Sequence, residues 1–186
     1  VYAITFIAFA LIISAVPFSV ALNSSVYRCI EWKEALRIAL VFALFHAAMA
    51  AVGWGVGYGI KGWLGSMSVP VALFILLFMA LRYFADARRK GREARTMTVE
   101  NIRILMGFAM VTSINTLLLG IGLGILYSGW LDFAGIVAAL VFLIARFGVL
   151  AGKKGWMNLG KVGETMGSML LFGITIFVLL QYLKVV

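Results

Sequence analysis

Acidic side chains are scarce in this sequence, and none of its seven falls inside a long apolar run. Glu31, Glu34, Asp86, Glu93, Glu100, Asp132 and Glu164 all lie in polar segments or at the edges of apolar ones. A deeply placed site for a hard divalent cation normally needs carboxylate oxygens, so this pattern argues against one. Cys29 is the single cysteine, which excludes an internal disulfide. His46 is the single histidine. No paired acid and base or activated nucleophile accompanies it, so the sequence gives no basis for an enzyme or a cofactor. Charge of either sign is limited to 12% of residues, where a soluble domain carries about a quarter.

What is present is apolar. Hydrophobic residues make up 64% of the 186, and the mean hydropathy is +1.09. That much apolar surface cannot hide in one water-soluble core, so lipid is the expected solvent. Six stretches have the length that crosses about 30 Å of hydrocarbon. They run near Tyr2–Leu22, Ala35–Tyr58, Val69–Ala85, Ile102–Leu126, Phe133–Ala151 and Met166–Leu183. The first lacks a basic leading segment and a small-residue cleavage pattern, so it is expected to remain as a span.

The net charge of +9 could suggest nucleic acid, but the cations crowd into short loops between apolar runs. Arg28 and Lys33 lie between the first two runs, with Arg37 just beyond. Arg88, Arg89, Lys90, Arg92 and Arg95 lie between the third and fourth. Lys153, Lys154 and Lys161 lie between the fifth and sixth, close to Arg146. The opposite side offers only Lys61 and Lys184. Basic loops stay in the cytoplasm, so all three are expected inside and both termini outside a bacterial inner membrane. Residues 1–186 then form one membrane domain, with a basic loop at about 87–100 between halves of about 1–86 and 101–186. Three spans per half make any repeat an inverted one. A faint echo agrees: Ser14-Ala15-Val16 falls where Ser113-Ile114-Asn115 falls, and Gly53 and Gly152 share nearly the same offset.

Glycines one turn apart occur at Gly53/Gly57, Gly55/Gly59, Gly120/Gly124, Gly148/Gly152 and Gly163/Gly167. Such pairs let helix backbones approach in lipid. The run Gly57-Tyr58-Gly59-Ile60-Lys61-Gly62 spells a dinucleotide fingerprint, but it ends a membrane helix and no strand precedes it. Trp32, Trp54, Trp63, Trp130 and Trp156 are expected mostly at the two membrane interfaces.

Polar groups at membrane depth are costly, so function is sought there. The first span offers Ser14 and Ser19 around Pro17, whose missing N–H frees a carbonyl one turn earlier and kinks the helix. The second carries His46, the fourth Thr112, Ser113, Asn115 and Thr116, and the fifth Arg146. Each has a plain structural alternative. His46 and Asn115 can serve as interhelical hydrogen-bonding groups, and Arg146 can snorkel to the headgroups.

Several segments taken together resemble the bacterial manganese efflux pump family, which is related to the lysine exporter superfamily. They are Glu34-Ala35-Leu36-Arg37 and Gly53-Trp54-Gly55 in the second span, and Thr112-Ser113-Ile114-Asn115 with Gly120-Ile121-Gly122-Leu123 in the fourth. Glu164, Gly167 and Gly173 continue the likeness in the sixth. The resemblance implies six helices in two inverted halves with an aspartate in the first helix of each half. Val16, within Val16-Pro17-Phe18-Ser19, stands where the first aspartate belongs, and Asn115 where the second does. His46 takes the place of a glutamate or glutamine, and Arg146 that of a small polar residue. A divalent ion about 4 Å from one carboxylate gains roughly 8 kcal/mol at an effective dielectric near 20, before desolvation. Amide and hydroxyl oxygens do not replace two such partners.

The expected protein is therefore a transport-inactive accessory or structural subunit, in contact with lipid and with other membrane subunits or further copies of itself. The alternative is an active exporter of a cation or other small solute, using Ser14, Val16, Pro17, Ser19, His46, Thr112, Ser113, Asn115 and Arg146. The topology is directly testable. Arg92→Cys in a Cys29→Ser background is expected to resist an impermeant thiol reagent in intact cells and to react once the membrane is opened. Labelling in intact cells contradicts the orientation.

Overall fold

Among the residues that the computed structural model describes (2–26, 30–89, 101–127, 130–154 and 157–182), all regular structure is helical. The α-helices are α1 (Tyr2–Ile13), α2 (Ala15–Val26), α3 (Trp32–Leu64), α4 (Ser68–Arg89), α5 (Ile102–Leu126), α6 (Trp130–Lys153) and α7 (Met157–Tyr182). Residues 90–100, Arg28 and Cys29 lie outside the described residues, and with them most of the basic loop.

Four stretches are long and apolar enough to cross a membrane: Phe6–Ser25, Trp32–Ala85, Ile102–Leu126 and Asp132–Lys153. A shorter apolar helix, Thr165–Phe177, lies in α7. The 54-residue stretch Trp32–Ala85 contains two helices. Its first, α3, has 33 residues and so extends about 50 Å, well beyond the hydrocarbon thickness. It ends at Gly65, whose φ of +52° suits a residue without a Cβ, and a single 3₁₀ turn (Gly65–Met67) leads into α4. Pro70 falls in the first turn of α4, where a missing N–H costs nothing. Asn101 caps α5 by accepting a hydrogen bond from the Arg103 N–H at 3.0 Å.

Most of the helices reach beyond the apolar runs at one or both ends. The run near Ala35–Tyr58 becomes Trp32–Leu64, and Met166–Leu183 becomes Met157–Tyr182. Hydropathy registers only the part immersed in hydrocarbon, whereas backbone hydrogen bonding continues through the polar ends. The first run is divided as its proline implies. Helix α1 stops at Ile13 and α2 starts at Ala15, because the Pro17 ring cannot donate to the Ile13 carbonyl one turn earlier.

The elements pack in a closed ring. The α1–α2 segment lies on α6 and α7, α6 on α3, α3 on α5, α5 on α4, and α4 on α7. Helix α2 also touches α3 and α5 across the interior. Two crossings bring backbone onto backbone. A Cβ on Gly53 or Gly57 of α3 would strike the Leu117 or Ile121 carbonyl oxygen of α5. Reciprocally, a Cβ on Gly120 would lie 2.8 Å from the Ala50 oxygen and one on Gly124 2.5 Å from the Trp54 oxygen. At the second crossing, Gly148 of α6 faces the Phe18 oxygen of α2 and Gly152 the Leu22 oxygen. Leu117 and Ile121 lie 99 residues after Phe18 and Leu22, the interval that separates Ser113 from Ser14. Gly148 and Gly152 lie 95 residues after Gly53 and Gly57, so the glycine that plays the part of Gly53 at the second crossing is Gly148, one turn before the Gly152 of the letter echo.

Residue numbers rise together along the α3–α5 contact, so these helices run parallel, as do α2 and α6. Trp54 departs from the interfacial expectation. It is 2% exposed and joins Phe6 and Phe133, with ring centroids 5.7 Å from each. Tyr127 adds an edge contact to Phe6 at 5.9 Å, which closes one end of the bundle with four aromatic rings. Trp32 and Trp63 are exposed, as membrane-interface tryptophans are.

The crossing geometry separates glycines that look alike in the sequence. Gly57→Ala is expected to lower detergent-phase thermal stability by about 1–3 kcal/mol, because the methyl group meets backbone that cannot yield. Gly59→Ala, with open space around it, is expected to be neutral or mildly stabilising. Equal effects in thermal unfolding contradict the crossing.

Candidate functional site

The inner face of α5 carries the largest group of buried polar residues on any one helix among those described. Gly120 marks its α3 flank and Gly122, against Leu76 and Ala72, its α4 flank. Helical periodicity places Ser113 on the face of Gly120 and Asn115 on the face of Gly122, with Thr112 and Thr116 between them. All four are buried, at 0–4% exposure. The belt therefore runs from the α3 side to the α4 side.

Most of its hydroxyls are spent on their own helix. Thr112 donates to the Phe108 and Ala109 carbonyls at 2.9 and 3.1 Å, and Ser113 donates to Met110 at 2.9 Å. Thr175 of α7 behaves likewise with Leu171. Thr116 does not: its Oγ1 is buried without a hydrogen-bond partner. The Asn115 Oδ1 and the His46 Nε2 share that condition.

His46 is fully buried on the α3 stripe that continues through Ala50, Gly53 and Gly57. Its Nδ1–H donates to the Phe42 carbonyl at 2.8 Å, so the lone pair of the neutral ring is on Nε2. His46 and Thr116 each lie one turn before the Ala50–Gly120 contact on parallel helices, which sets them at one level. An orphaned buried polar atom costs about 1–3 kcal/mol, so three near one depth form a polar locus that packing alone does not explain.

The α1–α2 side is drier. Ser14, at the break, donates back to the Ala10 carbonyl at 2.6 Å. Val16, Pro17 and Ser19 are buried, and Val16 packs in the apolar core with Ile13 and Phe9. Tyr83 of α4 reaches across and donates its hydroxyl to the Ile12 carbonyl at 2.9 Å. The sequence reading missed this residue. Its signal was a phenol near the polar end of an apolar run opposite a proline-broken helix. Thr116 was noticed as polar but not set apart from its neighbours, since back-bonded and orphaned threonines look the same as letters.

Arg146 goes elsewhere. Its guanidinium lies 3.9 Å from the centroid of the Trp32 ring. Trp32 opens α3 fourteen residues before His46, roughly 21 Å along the helix, so this charge is far from the polar belt. No carboxylate is among the described buried residues, and no three of His, Cys, Asp and Glu gather there. The belt offers imidazole, amide and hydroxyl groups, which suit hydrogen-bonding or soft ligands better than a hard divalent cation.

Comparison with known proteins adds a family to this geometry. Residues 29–179 match the family model described as "Putative manganese efflux pump". Relatives that bear that name with the suffix MntP cover most of the chain. The one from Serratia proteamaculans is 25% identical over 178 residues, which is 95% of this chain and 94% of its own length. That from Photorhabdus laumondii is 25% identical over 185 residues, 98% and 95% of the two chains. That from Parabacteroides distasonis is 28% identical over 148 residues, 80% and 79% of the two chains. No solved structure matches.

Removal of the two kinds of hydroxyl should have opposite consequences. Tyr83→Phe leaves the Ile12 carbonyl without its phenol donor beside the helix break and is expected to cost about 1–2 kcal/mol. Thr116→Val removes an orphaned hydroxyl and is expected to be neutral or stabilising. Thermal unfolding of both variants in detergent checks the pair; a loss for Thr116→Val as large as that for Tyr83→Phe contradicts the assignment.

Proposed function

The chain belongs to the manganese efflux pump family, and on that premise we propose that it is a divergent inner-membrane member that has lost manganese export. In this reading six spans form two inverted halves: α1–α2, α3 and α4, then α5, α6 and α7. The basic loops face the cytoplasm. The packing pattern supports the repeat. Exchanging each span with its counterpart three spans away turns α3–α5 into α6–α2 and α4–α5 into α7–α1, and leaves α3–α6 and α4–α7 unchanged. The two glycine crossings exchange in the same way.

The observation that carries the functional reading is the character of the buried polar set. Ser14, Ser19, His46, Thr112, Ser113, Asn115 and Thr116 are neutral or hold no negative charge. The 99-residue interval makes Val16 and Asn115 equivalent positions, and those are the positions where the family resemblance implies aspartates. The half-site around Val16 is apolar and packed, so a dication would face no anion on either side. Such a protein persists as an accessory or structural part of a membrane assembly.

A second reading is favoured by the orphaned atoms of His46, Asn115 and Thr116. Three unspent acceptors on the inner surface suit a small hydrogen-bonding solute or a monovalent cation, and in that case the chain is an exporter of something other than manganese. Pro17 and the break at Ser14 then supply the bend of a discontinuous first span, which is where transporters of inverted-repeat architecture bind their substrates.

Expression in a manganese-sensitive bacterial strain without its own exporter separates these readings from retained export. With insertion confirmed by immunoblot and an active family member as control, this chain is expected to leave growth and intracellular manganese unchanged. Rescue contradicts the proposal. The Val16→Asp, Asn115→Asp double variant is expected to restore measurable rescue if only the ligands were lost; continued failure assigns the defect to the scaffold as well.

A further inference from the structure

We propose that the seam between α3 and α6 is a binding site for an anionic membrane phospholipid, with Arg146 holding the phosphate and Trp32 shielding the guanidinium. The observation that leads there is the isolation of Arg146. It is half-buried on a membrane-spanning helix, and among the described residues its recorded partner is the Trp32 ring, 3.9 Å away. A ring face satisfies none of the five guanidinium N–H donors. An arginine so placed presents a planar fork that matches a phosphate.

The surroundings fit a lipid better than a soluble anion. Below Trp32, the exposed side of α3 continues through Leu36 and Leu40, one and two turns deeper. On α6, Leu143 and Leu150 flank Arg146 and are exposed as well. These apolar strips give acyl chains a path along the seam while the headgroup stays level with Trp32. The charge balance selects the headgroup. At the facing ends of α3 and α6 the described residues include Lys33, Arg37, Arg146, Lys153 and Lys154 against Glu31 and Glu34. Five cations against two carboxylates favour a lipid with net negative charge over a zwitterionic one. A half-buried cation on a membrane helix is costly without a counter-charge, and an anionic lipid in this position supplies one.

The test uses the full-length protein, delipidated in mild detergent and examined by native mass spectrometry with phosphatidylglycerol and phosphatidylcholine of equal chain length. The wild type is expected to retain phosphatidylglycerol about fivefold or more over phosphatidylcholine. Arg146→Gln should abolish that preference, and Arg146→Lys, which keeps the charge but loses the fork, should keep part of it. Trp32→Leu should weaken retention without altering the charge. Lys61→Gln, at the far end of α3, should change nothing. Elution as a single symmetric peak verifies folding of each variant; if Arg146→Gln does not fold, the Arg146→Lys and Trp32→Leu results decide. Equal retention of the two lipids by the wild type overturns the proposal. So does undiminished preference in Arg146→Gln, or, where that variant does not fold, in both Arg146→Lys and Trp32→Leu. Displacement of the lipid by millimolar inorganic phosphate would instead assign the site to a free anion and also overturn it.

Discussion

Backbone meets backbone at two helix crossings, and most of the architecture follows from that contact. In lipid no hydrophobic force gathers helices that are already in an apolar solvent, so association depends on close packing. Gly53 and Gly57 give α3 a flat strip against the Leu117 and Ile121 carbonyls of α5, and Gly148 and Gly152 do the same for α6 against α2. Once those pairs are seated, α3 and α6 are held parallel to their partners and the remaining helices close the ring. The crossings also set the level of everything polar. His46 and Thr116 share a depth because both precede the Ala50–Gly120 contact by one turn.

The interior so formed has two unlike halves. Around α5 it is polar, with Ser113 on the α3 side, Thr112 and Thr116 in the centre and Asn115 on the α4 side. Around the broken first span it is largely apolar, with Val16 packed among Ile13 and Phe9. Four aromatic rings seal one end. At the two positions where the family resemblance implies aspartates, this chain carries the Val16 hydrocarbon and the Asn115 amide. In the proposed reading, this asymmetry is what would set the chain apart from a dication carrier. Arg146, the charged residue among the anticipated site positions, rests against the exposed Trp32 instead of facing the polar belt.

Helical type could be read from the letters because hydrocarbon thickness demands runs of about 20 apolar residues, and among the described residues four stretches have the length and hydropathy of a span. Helix α5 matched its expected bounds, since a capping asparagine, Asn101, coincides with the start of the apolar run. The break at Ser14 was legible through Pro17. Other features depend on which face of a helix turns inward, and the letters do not carry that. Gly55 and Gly59 have the same spacing as Gly53 and Gly57, yet they border open space. Trp54 reads as an interfacial anchor but is core, because it follows a glycine that draws α5 close. The glycines at the two crossings, Gly53 and Gly148, are 95 residues apart, where the letter echo of Gly53 and Gly152 points one turn further. Of the anticipated site residues, the positions in α2, α3 and α5 are interior, and Arg146 is the one that geometry sends elsewhere.

The central claim is that this interior has no place for manganese, and direct binding tests it without the ambiguities of growth. Electron paramagnetic resonance of Mn²⁺ titrated into the purified full-length protein in lipid nanodiscs reads the free ion. The account predicts that the six-line signal grows as it does with empty nanodiscs. A saturable loss of one equivalent of signal per protein, abolished by Asn115→Ala, would contradict it.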